Sequence, residues 1–160
     1  MHLRSRVAMM LAFPFFANCS TTESTAITEA CSVTTPNGNT PPGRLPDPRY
    51  YGNGSLWTVL SPGGKVVFQP PESGFPLPDG PLSIKLPWWR GVEGKLTIQG
   101  RRLDAPAPPL KAMIPEGYGN SGFQASGLIF PTTGCWEVTG RMGNTDLTFV
   151  ILVVKIEKRN

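Results

Sequence analysis

Between Pro36 and Gly143 turn-forming residues interrupt this chain so often that no long helix fits between them. Glycine and proline each occur 18 times in 160 residues, and every glycine lies at or after Gly38. Inside a helix each would cost ~1 kcal/mol (glycine) or ~3 kcal/mol (proline) relative to alanine. Between strands the same residues supply the preset or positive φ that tight turns demand. Charged residues are only 16% of the chain, too few for a coiled coil or a helical bundle, while hydrophobic residues reach 39% and come in blocks, unlike a disordered chain. A compact, turn-rich, all-β protein is what remains.

Between Tyr50 and Ile156 short apolar or alternating runs recur at roughly 10-residue intervals. Ser55–Leu60 and Lys65–Gln69 flank Ser61-Pro62-Gly63-Gly64, which predicts a hairpin. Leu82–Leu86 puts Ile84 and Leu86 on one face, and Lys95–Gln99 alternates with Leu96 and Ile98 inward. Pro106, Pro108 and Pro109 keep Ala105–Pro109 out of any central strand. Lys111–Ile114, Phe123–Phe130, Cys135–Met142 and Leu147–Ile156 complete the series, with Gly143-Asn144-Thr145-Asp146 as a hairpin turn. The last strand is apolar on both faces from Leu147 to Val154, so it needs a central place or cover on both sides, paired with the Cys135 strand. The pattern predicts an all-β, immunoglobulin-like two-sheet β-sandwich of about 7–9 short strands.

The segment before the first glycine has a different character. A short basic stretch (His2, Arg4, Arg6) leads into an apolar run from Val7 to Phe16, the pattern of a secretory signal. That run is about half of the ~20 residues a helix needs to span a bilayer, so it does not read as a permanent anchor. It ends at Phe16-Ala17-Asn18-Cys19-Ser20, which resembles the bacterial lipoprotein signal. The resemblance implies cleavage before Cys19, a lipid on that cysteine and attachment to the membrane through it. Asn18 departs from the usual Gly, Ala or Ser and Phe16 from the usual Leu. The other reading is an ordinary signal peptide cut between Ala17 and Ala30, with Ser24-Thr25-Ala26 as one small-x-Ala site, giving a secreted or periplasmic soluble domain.

Loss of residues 1–18 removes the one histidine, His2, and with it histidine general bases, Ser-His-Asp triads and histidine-ligated metals. Arg4 and Arg6 leave too, so 15 basic side chains fall to 13 against 11 acidic ones. Residues Ser20–Thr35 hold nine Ser or Thr and no glycine, and Pro36 to Gly43 is proline-restricted. The chain therefore divides into a signal peptide (1–18), a Ser/Thr- and Pro-rich tether and strap (19–49) and a sandwich domain (50–157).

Three cysteines in an exported chain call for an explanation. With Cys19 lipidated, Cys31 and Cys135 can pair in an oxidising envelope; two free thiols are the competing reading. In the Cys135–Met142 run, Trp136, Val138 and Met142 share one face, and Cys135, Glu137, Thr139 and Arg141 the other. The second face reads as exposed, which predicts an N-terminal strap stapled to the exterior or edge of the sandwich.

The residues that could carry chemistry are few. The acidic side chains sit beside turn glycines and read as surface carboxylates, so the domain reads as non-enzymatic, with neither cofactor nor metal. Arg101-Arg102 is too small a basic cluster for nucleic acid. Trp88-Trp89-Arg90 follows Pro87 at the end of a strand, where neighbouring tryptophans point to opposite faces. One enters the core. The other either packs under a loop or, beside Arg90, stacks on a sugar ring or anchors an interface. Tyr50, Tyr51 and Trp57 allow the same two readings, whereas Trp136 reads as core. A proline-rich inhibitory loop at Ala105–Leu110 is a weaker possibility.

The run Phe130-Pro131-Thr132-Thr133-Gly134-Cys135-Trp136-Glu137-Val138-Thr139-Gly140 resembles the penultimate strand and preceding turn of bacterial immunoglobulin-like domains. Together with Cys31-Ser32-Val33-Thr34, Pro41-Pro42-Gly43 and Leu56-Trp57-Thr58-Val59-Leu60, it resembles a group of uncharacterised bacterial exported lipoproteins. The resemblance implies the fold and no particular reaction. The expectation is a lipid-anchored envelope domain that binds an envelope protein or has a structural role; a small carbohydrate-binding module is the alternative.

Overall fold

The structure, a computed structural model, describes residues 31–68 and 82–156. The leader, the lipidation site at Cys19, the tether up to Ala30, Gln69 and residue 157 lie outside the described residues. Nine strands are present among the described residues: β1 (Tyr50–Gly52), β2 (Leu56–Val59), β3 (Lys65–Phe68), β4 (Leu82–Arg90), β5 (Thr97–Arg102), β6 (Lys111–Met113), β7 (Gly122–Phe130), β8 (Gly134–Met142) and β9 (Thr145–Lys155). They form a five-stranded sheet in the order β1-β2-β4-β7-β6 and a four-stranded sheet in the order β3-β9-β8-β5. The series β2-β4-β7-β6 facing β9-β8-β5 reproduces the A-B-E-D and G-F-C strand order of immunoglobulin domains.

The expected hairpin around Ser61-Pro62-Gly63-Gly64 does not form. β2 pairs with β1 and β4, while β3 crosses to the other sheet and pairs in parallel with β9, Lys65 opposite Leu152. Pro62–Gly64 makes a single 3-10 turn, with φ of 64° at Gly63 and 62° at Gly64. The glycines do supply positive φ, but the turn changes sheet instead of reversing the chain within one. At the other hairpin, Met142 faces Thr145 and only Gly143-Asn144 form the loop. Gly143 has a φ of 57° at the first central position, as a type II′ turn requires.

The Leu82–Leu86 strand also runs further than expected, through Pro87 to Arg90. Proline is tolerated here because the ladder with β2 covers only Trp88 to Arg90, so the missing donor falls where that ladder has stopped. Thr58, fully buried, donates its hydroxyl to the Pro87 carbonyl at 2.8 Å.

The core fills the space between the sheets with Leu56, Leu60, Trp88, Leu96, Leu128, Phe130, Trp136, Val138 and Phe149. Phe130 and Trp136 meet edge to face with centroids 5.5 Å apart. Where antibody domains bridge strands B and F with a disulfide, β4 here inserts Trp88 against the bare backbone of Gly140 on β8. A Cβ at Gly140 would collide with that indole.

Strand β9 is the central device. Leu147, Phe149, Ile151 and Val153 face the core, and Val150, Leu152 and Val154 face outward. It lies between β8 and β3, and its outer side is covered by Cys31, Val33 and Cys135 in a second apolar cluster. The disulfide Cys31–Cys135 is formed. The strap is stapled to the exterior as expected, but Cys135 is only 1% exposed because the strap itself covers it. Further along, the Thr34 amide donates to the Val150 carbonyl at 2.9 Å and the Val150 amide to the Thr34 hydroxyl at 2.8 Å. The strap then takes over the edge of β1: Asn37 exchanges two side-chain hydrogen bonds with the Gly52 backbone, at 2.7 and 3.2 Å.

One ionic cluster fixes the turn before Cys135. Asp104 accepts hydrogen bonds from Arg102 Nε at 2.7 Å and from the Cys135 amide at 3.1 Å. The Arg102 guanidinium, with help from that amide, holds the Asp104 carboxyl below its ordinary value of 3.8. A lowered folded pKa stabilises the protein above about pH 4, and this contribution is lost as pH falls through the folded value. Denaturant unfolding as a function of pH should therefore show Asp104→Asn less stable than the parent at pH 7, with a smaller further loss below about pH 4; parallel curves would refute this. The disulfide closes a loop with a separation of 104 residues, for which loop-closure entropy gives ~4–5 kcal/mol. The Cys31→Ala/Cys135→Ala pair should lose most of that in urea unfolding, and an unchanged midpoint would rule it out.

Candidate functional site

The five aromatic and basic residues picked from the sequence fall into four environments. Trp88 is fully buried between the sheets; its indole donates to Ser126 Oγ at 3.1 Å, and Ser126 in turn donates to the Leu86 carbonyl. It is a core residue, out of reach of any ligand in the folded domain. Tyr51 packs edge to face on Phe149, at 6.4 Å, and its hydroxyl donates to the Thr148 carbonyl, sealing the edge of β9 that β3 leaves unpaired.

Arg90 is only 4% exposed. Its guanidinium donates to the carbonyls of Gly122, Gly119, Tyr118 and Ser121 at 2.8–3.2 Å. It is thus the peg around which the glycine-rich Glu116–Gly122 loop wraps. Burial lowers its pKa from arginine's ordinary value, though arginine keeps its charge. Tryptophan and arginine at adjacent sequence positions point to opposite faces of a strand, so Arg90 cannot assist Trp89.

Only Tyr50 and Trp89 share the outer face of the five-stranded sheet. Trp89 lies in register with Trp57 on one neighbour and Phe123 on the other. Tyr50 meets Trp89 at 5.2 Å, Trp89 meets Phe123 at 5.6 Å and Phe123 meets Tyr118 at 5.9 Å, all edge to face. Arg44, carried by the strap, sits over the Trp89 ring at 5.4 Å from its centroid. Trp57 is buried and donates its indole N–H to Asn39 Oδ1 at 2.8 Å.

Beyond this aromatic row the face stays apolar. The outward positions of β7 are Phe123, Ala125, Gly127 and Ile129, flanked by Pro87 on β4 and Met113 on β6. Met113 lies over Gly127, where a Cβ would come within 2.9 Å of its methyl carbon. Phe123 is 47% and Met113 54% exposed. Lys85 and Lys111 stand at the far end of the same face, level with Met113 and Ile129.

The outer face of the four-stranded sheet is a contrast. Its side chains pair with one another: Arg101 with Glu137, Arg141 with Asp146 and Thr139 with Thr148. The guanidinium partner holds the Asp146 carboxyl below the usual range. Among the described residues no group of three or more His, Cys, Asp or Glu side chains converges to hold a metal ion.

Arg44, Tyr118, Phe123 and Met113 were not singled out from the sequence. Residues 122–130 alternate two apolar-leaning faces, and the polar Gln124 and Ser126 point inward, so periodicity alone gave no reason to choose Phe123 as the exposed side. Arg44 reaches Trp89 from 45 residues away along the chain through the strap's path.

Neither a protein-family model nor a curated protein sequence matches the chain.

The Arg90 peg makes a direct prediction. Arg90→Met leaves four carbonyls without their donor and should lower stability by ~2–4 kcal/mol, with faster proteolysis at Glu116–Gly122. Arg90→Lys should recover little, because one ammonium cannot reach all four carbonyls. Denaturation and limited proteolysis check both, and a parent-like Arg90→Met would refute the peg.

Proposed function

We propose that this chain is a non-enzymatic bacterial envelope protein, anchored by lipid at Cys19, whose sandwich is a binding domain that presents the outer face of its five-stranded sheet. The observation that carries the reading is the difference between the two outer faces. One is covered along β9 by the strap and the disulfide and carries paired side chains, with Val67 exposed only at its β3 edge. The other exposes Phe123, Met113 and Tyr118 around a half-buried Trp89. Contiguous exposed apolar surface of this kind marks an interaction site.

The arrangement of the rings favours a macromolecular surface over a sugar. Stacking on a pyranose ring needs an open aromatic face, whereas Tyr50 and Phe123 approach Trp89 edge to face and Arg44 lies over its ring. The short outward side chains of Ala125 and Gly127 lie between Phe123 and Ile129, and Met113 fills the space over Gly127, which makes a continuous apolar surface.

Mass spectrometry of the protein extracted from membranes tests the anchor. A mature N-terminus at Cys19 carrying a lipid is the expected result. A soluble protein with an unmodified N-terminus between Ala17 and Ala30 would overturn it.

A further inference from the structure

We propose that the outer face of the five-stranded sheet docks on a bilayer surface that carries anionic headgroups. This names the partner of the binding face proposed above and rests on that reading, but not on the lipid at Cys19.

Charge is the first argument. Of the six carboxylates in the described residues, Asp47, Asp104, Glu137 and Asp146 are held in ion pairs with arginines, while Glu93 and Glu116 stand in loops at the end of the sheet away from Lys85 and Lys111. On the apolar face the charged side chains are Arg44, Lys85 and Lys111, all positive. No ion pair joins any of these three to a carboxylate among the described residues. A second copy of the chain laid on this face would bring like charges together. An anionic surface is attracted by each basic side chain near it.

Hydrogen-bonding capacity is the second. A protein interface carries about one hydrogen bond per 100–200 Å². Here Phe123, Ala125, Gly127, Ile129, Pro87 and Met113 offer no side-chain donor or acceptor. Such a face suits the headgroup region of a bilayer, which asks only for apolar bodies, basic tips and aromatic rings. Leu45, next to Arg44 in the strap, is 86% exposed and adds an apolar tip.

The chain outside the structure permits the geometry. Eleven residues separate Cys19 from Cys31, a span of up to ~40 Å when extended. Stacked sheets lie ~10 Å apart, so this length suffices to pass from the disulfide side of the sandwich to a bilayer under the opposite face.

The test uses the chain from position 19 with Cys19→Ser, so that no lipid contributes, and vesicles of phosphatidylglycerol with phosphatidylethanolamine against vesicles of phosphatidylcholine. Co-sedimentation should show partitioning at least about tenfold stronger on the anionic vesicles, weakening with salt. Lys85→Glu/Lys111→Glu should reduce it by more than about tenfold without moving the thermal midpoint. Phe123→Ser should also reduce it. Lys65→Glu, on β3 of the other sheet, should leave it unchanged. Equal partitioning on the two vesicle types, or full binding by the charge-reversed pair, would overturn the proposal. Absence of vesicle binding in a protein whose cellular form carries lipid at Cys19 would remove the bilayer contact alone, leaving an anchored domain whose face takes an acidic protein.

Discussion

A strand that is apolar on both sides must be covered on both sides, and β9 sets this condition for the whole domain. Its inner residues Leu147, Phe149, Ile151 and Val153 are met by the opposing sheet. Its outer residues Val150, Leu152 and Val154 have no second sheet to meet, so the N-terminal strap supplies the cover through Cys31 and Val33. A strap of this length has little hydrophobic surface of its own and would leave β9 easily. The covalent bond to Cys135, the neighbour of Leu152 in the ladder, keeps it in place. Without it the most aggregation-prone segment of the chain would lie open.

The strap carries this constraint to the other sheet. After Thr34 it turns onto the edge of β1, where Asn37 acts as a one-residue strand for Gly52, and Asn39 then satisfies the indole of Trp57. From there Arg44 reaches Trp89. The segment that protects one face therefore also shapes the aromatic row on the other. This coupling explains why the tether and strap region, which composition alone separates from the domain, belongs to the folded unit from Cys31 onward.

Much of the fold was legible because it follows from local rules. Alternation gave the inward Leu96 and Ile98 at and just before β5, prolines kept Ala105–Pro109 out of the sheets, and the Gly143–Asp146 segment marked the last hairpin, whose loop is the two residues Gly143-Asn144. The cysteine count gave the bridge, and the alternation around Cys135 gave its side of the sandwich. What failed was non-local. The residues Ser61 to Gly64 suit a hairpin or a crossing equally well, and the choice is made by the unfilled edge of β9, which β3 occupies. The candidate site suffered from the same limit. Parity placed Trp88 and Trp89 on opposite faces, but which face is the core depends on Gly140, far along the chain and able to admit an indole. Nothing near Phe123 or Arg44 announces that both will meet Trp89.

The distribution of polar partners ties these observations to the proposed role. Carboxylates and arginines are paired on the four-stranded sheet and around the disulfide, at Arg101–Glu137, Arg141–Asp146 and Arg102–Asp104. These pairs are worth little stability where they are exposed, yet they tie the arginines of that side to neighbouring carboxylates and leave Lys65 as an exposed ammonium at its β3 edge. On the opposite side the basic groups keep their charge uncompensated by described carboxylates, and the residues between them are apolar. A domain selected only for solubility gains nothing from this separation, since mixed charges on both faces would serve better. The separation has a physical rationale if one side is reserved for the anchoring chain and the other for a surface that is apolar within and negative at its rim.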